Sequence, residues 1–257
     1  MVTGASAGVG LSVAKALAAT GAHVSLCDRD AQRLARAHVE VNALGPGDVL
    51  SMPVDPHDAC EAAEWVHRTA DAFGGLDIVV SNPGPAPPGR VDGFAIADYR
   101  AALDANLLPH VSVTLAALPI VKRGGWGRML MIAPGRPHGR GARDGLSAVT
   151  RMGLIGYMSE LVDTLADTGV TVNMLVPGAG PEFAPGTWFD PDAIPENARG
   201  AAESRRREGT DGPGGFGALA VFLTGDRAAS LTGRIFDAEA GDEIGDAAPT
   251  SRSRGRR

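Results

Sequence analysis

Short apolar runs alternate along this chain with longer segments whose apolar residues recur every three or four positions. The first pattern marks strands and the second marks helices. HVSLC (23–27), VLSMPV (49–54), LDIVV (76–80), RMLMIA (128–133) and VTVNMLV (170–176) have the strand pattern. LDIVV is apolar at nearly every position, as expected where both faces are covered. AQRLARAHVEVNAL (31–44) has the helix pattern and stops at Gly45 and Pro46. AEWVHRTADAF (63–73) does the same before Gly74 and Gly75. Long helices are expected from about Asp98 to Val121 and from about Asp144 to Asp167, and FGALAVFLTG and GRIFDA add one more helix and strand. The opening MV leaves only a stub where a first strand should stand, so either that strand is short or the sequence begins at an internal Met.

Alternating strands and helices predict an α/β fold: a doubly wound, Rossmann-type domain with a parallel sheet and helices on both faces. The crossovers should be right-handed. No internal linker interrupts the rhythm, so one domain is expected over 1–245. Residues 179–214 depart from it, being rich in Pro, Gly, Glu and Arg, and are expected to form a lid-like excursion. Residues 246–257 end in SRSRGRR and read as a disordered basic tail.

Composition narrows the function. The 257 residues are 44% hydrophobic and 21% charged, enough to build a core. A net charge of −6 argues against a nucleic-acid partner. The two cysteines, Cys27 and Cys60, lie in no metal-binding or redox spacing and read as idle thiols of a reducing compartment. No run reaches the ~18 apolar residues of a membrane span. The first residues lead straight into MVTGAS with no signal-peptide pattern, so a cytoplasmic chain is expected. The 35 glycines, about twice the average share, suggest tight strand-to-helix turns.

One such turn carries chemistry. TGASAGVG (3–10) precedes the helical stretch LSVAKALAATG and spaces Gly4, Gly8 and Gly10 as G-x-x-x-G-x-G. Glycines here permit a tight turn and let backbone N–H groups approach a pyrophosphate. Ser6 and Val9 lie in the same turn. Asp28 ends the next strand, where a carboxylate can accept from ribose hydroxyls. Ala7 offers no cation for a 2′-phosphate, although Arg29 adjoins Asp28, so NAD is favoured over NADP.

With these residues the chain resembles the short-chain dehydrogenase/reductase family along most of its length. Asp55 follows strand three like the family's adenine-binding step. SNPG (81–84), with Asn82 and Gly84, stands where the family has N-N-A-G. Asn106 in LDANLL matches the tetrad Asn. VNMLVPG (172–178) matches the strand and turn beside the nicotinamide, ending in Pro177 and Gly178. The resemblance implies a sheet of about seven parallel strands, a dinucleotide cofactor, and a dimer or tetramer built on the two long helices. It also implies hydride transfer between NAD(H) and an alcohol or carbonyl.

Active members of the family carry Asn, Ser, Tyr and Lys. The Tyr exchanges a proton with the substrate oxygen, and a nearby cation lowers its pKa. Aligned on that pattern, Pro134 stands at the Ser, Ser147 at the Tyr and Arg151 at the Lys. Asn106, Ser147 and Arg151 are therefore the candidate catalytic residues, with Arg151 also a candidate ribose ligand. A serine hydroxyl is shorter by a whole ring and far less acidic, so general acid–base help should be largely lost. Arg151 could instead pair with a surface acid such as Asp144. Tyr99 and Tyr157 are misplaced in the alignment, Tyr157 by about 15 Å of helix rise. Pro56 has no N–H to give an adenine, and Glu182 replaces a usual Thr.

Three readings follow. The chain is a weakened or altered oxidoreductase, a non-catalytic nucleotide-binding scaffold or sensor, or a non-redox lyase or cyclase reusing the pocket. The last rests on His138 and three arginines in GRPHGRGARD (135–144). No histidine spacing suggests a metal.

Overall fold

The computed structural model describes residues 1–82, 84, 90–134, 145–177, 213–237 and 243–246. The first half of the chain runs β1 (Val2–Thr3), α1 (Gly8–Ala19), β2 (Val24–Asp28), α2 (Ala31–Asn42), β3 (Val49–Pro53), α3 (Ala59–Phe73) and β4 (Ile78–Ser81). It continues with α4 (Ile96–Asn106), α5 (Leu108–Arg123), β5 (Gly127–Ile132), α6 (Gly145–Thr164) and β6 (Val170–Val176). The last elements are α7 (Pro213–Thr224), β7 (Arg234–Asp237) and β8 (Glu243–Asp246).

The strands form one sheet in the order β3-β2-β1-β4-β5-β6-β7-β8. Seven pair in parallel, and β8 closes the edge antiparallel to β7. The antiparallel eighth strand lies beyond the seven expected. Asp246, placed in the tail by its composition, pairs with Arg234 instead. β1 spans two residues of this sequence, and Val2 pairs with Leu26 on one side and Val80 on the other.

Strand alternation divides the core into two layers. Met129, Met131 and Ala133 pack with Trp65, Val113 and Leu154, in the layer of α3, α5 and α6. Leu130 and Ile132 face the other way, with Val13, Leu34 and Phe216 of α1, α2 and α7. β1 sits between β2 and β4, so the winding reverses there. Open α/β sheets bind ligands outside the carboxyl ends of the strands at that reversal.

Several boundaries moved for local reasons. Asp58 caps α3 by accepting from the N–H groups of Cys60 and Glu61 at 2.7 and 3.1 Å, so the helix starts four residues before the apolar pattern does. Gly74 ends it with a φ of 75°. The single long helix expected from Asp98 breaks at Leu107, where φ is −116°. Pro109 carries no N–H to continue the helical ladder, and it restrains the residue before it. By length and apolar composition, Ile96–Arg123 would suffice for a membrane span, contrary to the sequence reading. In this fold it is broken into α4 and α5, and Val113, Ala117 and Val121 bury its inner face in the core.

Candidate functional site

Gly4 leaves β1 with a φ of 57°, and Gly8 opens α1 with a φ of 55°. Both are in the left-handed region that favours glycine. Asn82, just past β4, closes the turn from the side. Its backbone N–H donates to Thr3 Oγ1 at 2.6 Å, and its Nδ2 donates to the Gly4 carbonyl at 3.3 Å. A Cβ on Gly4 would lie 2.5 Å from the Asn82 carbonyl oxygen, and one on Gly10 would lie 2.2 Å from the Gly4 oxygen. Backbone fills these positions completely.

Gly8 is different. A Cβ there would meet nothing within 4 Å. α1 begins at Gly8 rather than beyond the glycines, and Ala7, its N-cap residue, has no side chain to cap it. Leu11 makes the bond back to Ala7 O, at 3.2 Å. The helix therefore opens with first-turn N–H groups that Ala7 does not cap, beside a bare Gly8, which is the form of a phosphate cradle.

Asp28 completes the cradle at the end of β2. Its Oδ2 accepts from Ser6 Oγ at 2.7 Å, and its Oδ1 accepts from the Asp30 N–H at 3.2 Å. Beyond β3, Asp55 Oδ1 accepts from the His57 N–H and meets the His57 ring at 2.5 Å. Partial burial pushes the Asp55 carboxyl up, but the His57 bonds outweigh that and hold it below the usual carboxylate range. Glu61 accepts from the Asp55 N–H at 2.9 Å. Gly84 is exposed, and Val9 and Pro177 are buried. Gly178, Glu182, and the loop with His138 lie outside the described residues.

The other end of the crevice is built from side chains. Asn106, the last residue of α4, is fully buried, and its Nδ2 donates to Ala102 O at 3.2 Å. Ser147 and Arg151 sit one turn apart on α6 and are 7% and 8% exposed. Arg151 Nη1 donates to the Pro134 carbonyl at 2.9 Å. The buried guanidinium thus reaches the chain leaving β5, and Asp144, the alternative acid partner, lies outside the described residues. Tyr99 donates to the Val91 carbonyl at 2.9 Å, at the outer rim. Tyr157 is half-buried against the core, where burial pushes its phenol above its ordinary value.

One polar residue escaped the sequence reading. His110 is entirely buried, and neither ring nitrogen has a hydrogen-bond partner among the described residues. Burial pushes its pKa down to about 3, so it is a neutral imidazole. The available signal was its position on the long helix expected from Asp98 to Val121, four residues after Asn106; in the structure the break at Leu107 separates the two.

A model of the short chain dehydrogenase family matches residues 1–180. The chain belongs to that family. It is 33% identical over 181 residues to a D-beta-hydroxybutyrate dehydrogenase of Rhizobium meliloti, covering 69% of each chain. It is 29% identical to the D-beta-hydroxybutyrate dehydrogenase of Cupriavidus necator, covering 94% of this chain and 96% of that one. Among solved structures, a short chain dehydrogenase of Burkholderia cenocepacia in complex with NADP superposes with a TM-score of 0.74 at 29% identity, covering 92% of this chain and 94% of that one. YwfH, an NADPH-dependent reductase of bacilysin biosynthesis, superposes with a TM-score of 0.77 at 22% identity, covering 95% and 98%, a likeness of fold. This short chain dehydrogenase thus has the NAD(P)-binding Rossmann fold of its oxidoreductase family.

Proposed function

We propose that this short chain dehydrogenase binds NAD(H) and is an oxidoreductase with weakened or altered proton transfer. The intact glycine cradle carries the reading: two left-handed glycines, a third with no room for a Cβ, and an uncapped helix start. Gly4, Ser6, Gly8, Val9 and Gly10 would hold the pyrophosphate end. Asp28 and Arg151 would hold the two riboses, and Asp55 the adenine. Asn82, Gly84, Pro177 and Gly178 would line the nicotinamide side. The carboxylate of Asp28 would repel a 2′-phosphate, which favours NAD over NADP. When bound, the nicotinamide supplies or accepts the hydride.

The chain's own residues must handle the proton, and here the tetrad is degenerate. Ser147 is too short and too weak an acid to replace a phenol. Arg151 stays charged and is committed in part to the Pro134 carbonyl. That commitment favours one second reading, a nucleotide-binding scaffold or sensor without turnover. A lyase or cyclase reading rests on the 135–144 loop, outside the described residues.

The deciding experiment follows NADH formation with D-β-hydroxybutyrate, the alcohol named for the two relatives, and a panel of small secondary alcohols. Slow turnover that disappears in Gly8→Arg supports the oxidoreductase. NADH binding without turnover of any panel member supports the scaffold.

A homo-oligomer also belongs to this reading. Leu108 and Leu115 on α5, and Val149 and Met152 on α6, are exposed apolar residues suited to covering by a second copy. Light scattering should show a dimer or tetramer that Leu115→Glu with Met152→Glu dissociates. A monomer in the unmutated chain would contradict it. A cytoplasmic location accords with two unpaired thiols, one buried and one exposed. Neither nucleic acid nor membrane has a part in the reading.

A further inference from the structure

The loop that leaves β3 turns its backbone donors on itself. Pro56 carries no N–H. The Asp55 N–H donates to Glu61 Oε2 at 2.9 Å, the His57 N–H to Asp55 Oδ1 at 3.1 Å, and the Asp58 N–H to the Asp55 carbonyl at 3.0 Å. Between 55 and 58 the His57 ring is the remaining donor. Its Nδ1 lies 2.5 Å from Asp55 Oδ1. A ring lone pair facing a carboxylate would be repelled, so Nδ1 carries a hydrogen and donates it. Nε2, on the far side of the ring, bonds to no described residue, and neither does Asp55 Oδ2. The two side chains are 31% and 41% exposed.

This pair stands in the row of strand ends that carries the glycine cradle. Pro53 pairs with Asp28, so Asp55 and His57 leave β3 just beyond the Asp28 carboxylate. They lie two strands out from β1, roughly 10 Å at the usual strand spacing. That is where the base of a dinucleotide falls when its pyrophosphate is in the cradle. Adenine presents a donor, the N6 amine, beside an acceptor, N1. A carboxylate can satisfy only the donor, because it has no hydrogen to give. A base outside a duplex is read by hydrogen bonds to this edge, so a matching donor is needed beside the carboxylate.

We propose that His57 reads the base of the bound dinucleotide: Asp55 Oδ2 accepts from the adenine N6 amine while His57 Nε2–H donates to N1. The inference rests on the dinucleotide-binding reading above and adds to it a residue that recognises the base. With Nδ1–H held on Asp55, Nε2 donates only while the ring carries both protons. Dinucleotide binding and protonation of His57 therefore reinforce each other, and affinity rises as pH falls. The charged groups around the ring are Asp55 itself, Asp28 and Arg29 at the end of β2, and Asp58 and Glu61 at the start of α3. The thiols of Cys27 and Cys60 belong to the same two elements. Of these side-chain types, only histidine ordinarily changes charge between about pH 5 and about pH 8.

The test titrates the full chain by calorimetry with NAD and with its 1-deazaadenine analogue, in which C–H replaces N1 and the N6 amine stays. The unmutated chain should bind the analogue about 10-fold more weakly, as expected for a lost hydrogen bond to a charged group. His57→Ala, with folding checked by thermal melts, should bind NAD about 10-fold more weakly and the analogue unchanged, so that the preference disappears. Equal weakening of both nucleotides would mean that the ring only props up Asp55, and overturns the proposal. So does a preference that survives in His57→Ala. A second arm measures NAD affinity from about pH 8 to about pH 5.5, where it should rise about 5-fold in the unmutated chain and stay flat in His57→Gln. A flat profile in both, or the same rise in both, overturns the role of the imidazolium. Equal binding of NAD and the analogue by the unmutated chain overturns the reading of N1 and leaves the dinucleotide site standing. Binding of neither sinks the dinucleotide site, and the role of His57 with it.

Discussion

Around the β1–α1 turn the crevice is made of backbone, whereas at the β5–α6 end it is made of side chains. A Cβ at Gly10 would lie 2.2 Å from the Gly4 oxygen, so that turn has no neighbouring sequence that keeps its shape. At the other end, Ser147 and Arg151 are both buried on α6, and Arg151 is tied to the Pro134 carbonyl. Side chains there can be exchanged while the helix keeps its packing, because Leu146, Leu154, Met158 and Leu161 still bury the same face. Binding geometry and proton chemistry are therefore separable in this fold. The first is locked by sterics, and the second depends on a few replaceable functional groups.

The strongest way to sharpen that contrast is to rebuild the side-chain end. Pro134→Ser, Ser147→Tyr and Arg151→Lys together should raise hydride-transfer turnover by roughly 10²–10⁴-fold, the range of general acid–base help. Steady-state NADH kinetics measure it. No gain in a folded triple variant would mean that these positions are not where the chemistry was lost.

The backbone end should break abruptly. Gly10→Val should weaken dinucleotide binding by about 100-fold or more, equivalent to ~2.7 kcal/mol, and lower the melting temperature. Near-normal binding in Gly10→Val would show that the turn yields, against the steric account.

A smaller effect separates folding from function. His110 is neutral when folded, with its pKa pushed down by burial to about 3, against an ordinary value of 6.5. Its contribution to stability is therefore complete above about pH 6.5 and is lost as pH falls toward about 3, by at most ~1.4 kcal/mol per pH unit. His110→Leu should flatten the acid side of the stability curve in denaturant titrations. An unchanged slope would mean that the imidazole is not buried neutral.

Much of this was legible in the sequence because periodicity reports burial. The alternation of patterns led to the doubly wound sheet, and the spacing of Gly4, Gly8 and Gly10 led to the cradle. What stayed hidden depended on single backbone groups. The helix break at Leu107 follows from one missing N–H at Pro109, which apolar patterning does not register. The early start of α3 follows from one capping carboxylate on Asp58. Arg151 took a backbone carbonyl as partner, and backbone carbonyls have no sequence signature. His110 belongs to no histidine spacing that signals a metal, and only its burial sets it apart.

The account's central claim is that the dinucleotide cradle is intact while the proton chemistry beside it has changed. Calorimetric titration of the purified chain with NAD, NADH, NADP and NADPH tests the first half most directly. The account predicts saturable binding of NAD and NADH, with the phosphorylated pair at least about 10-fold weaker, or ~1.4 kcal/mol, because on the proposed reading Asp28 would face the ribose. Failure of all four nucleotides to bind would contradict it, and would remove both the oxidoreductase and the nucleotide-sensor readings.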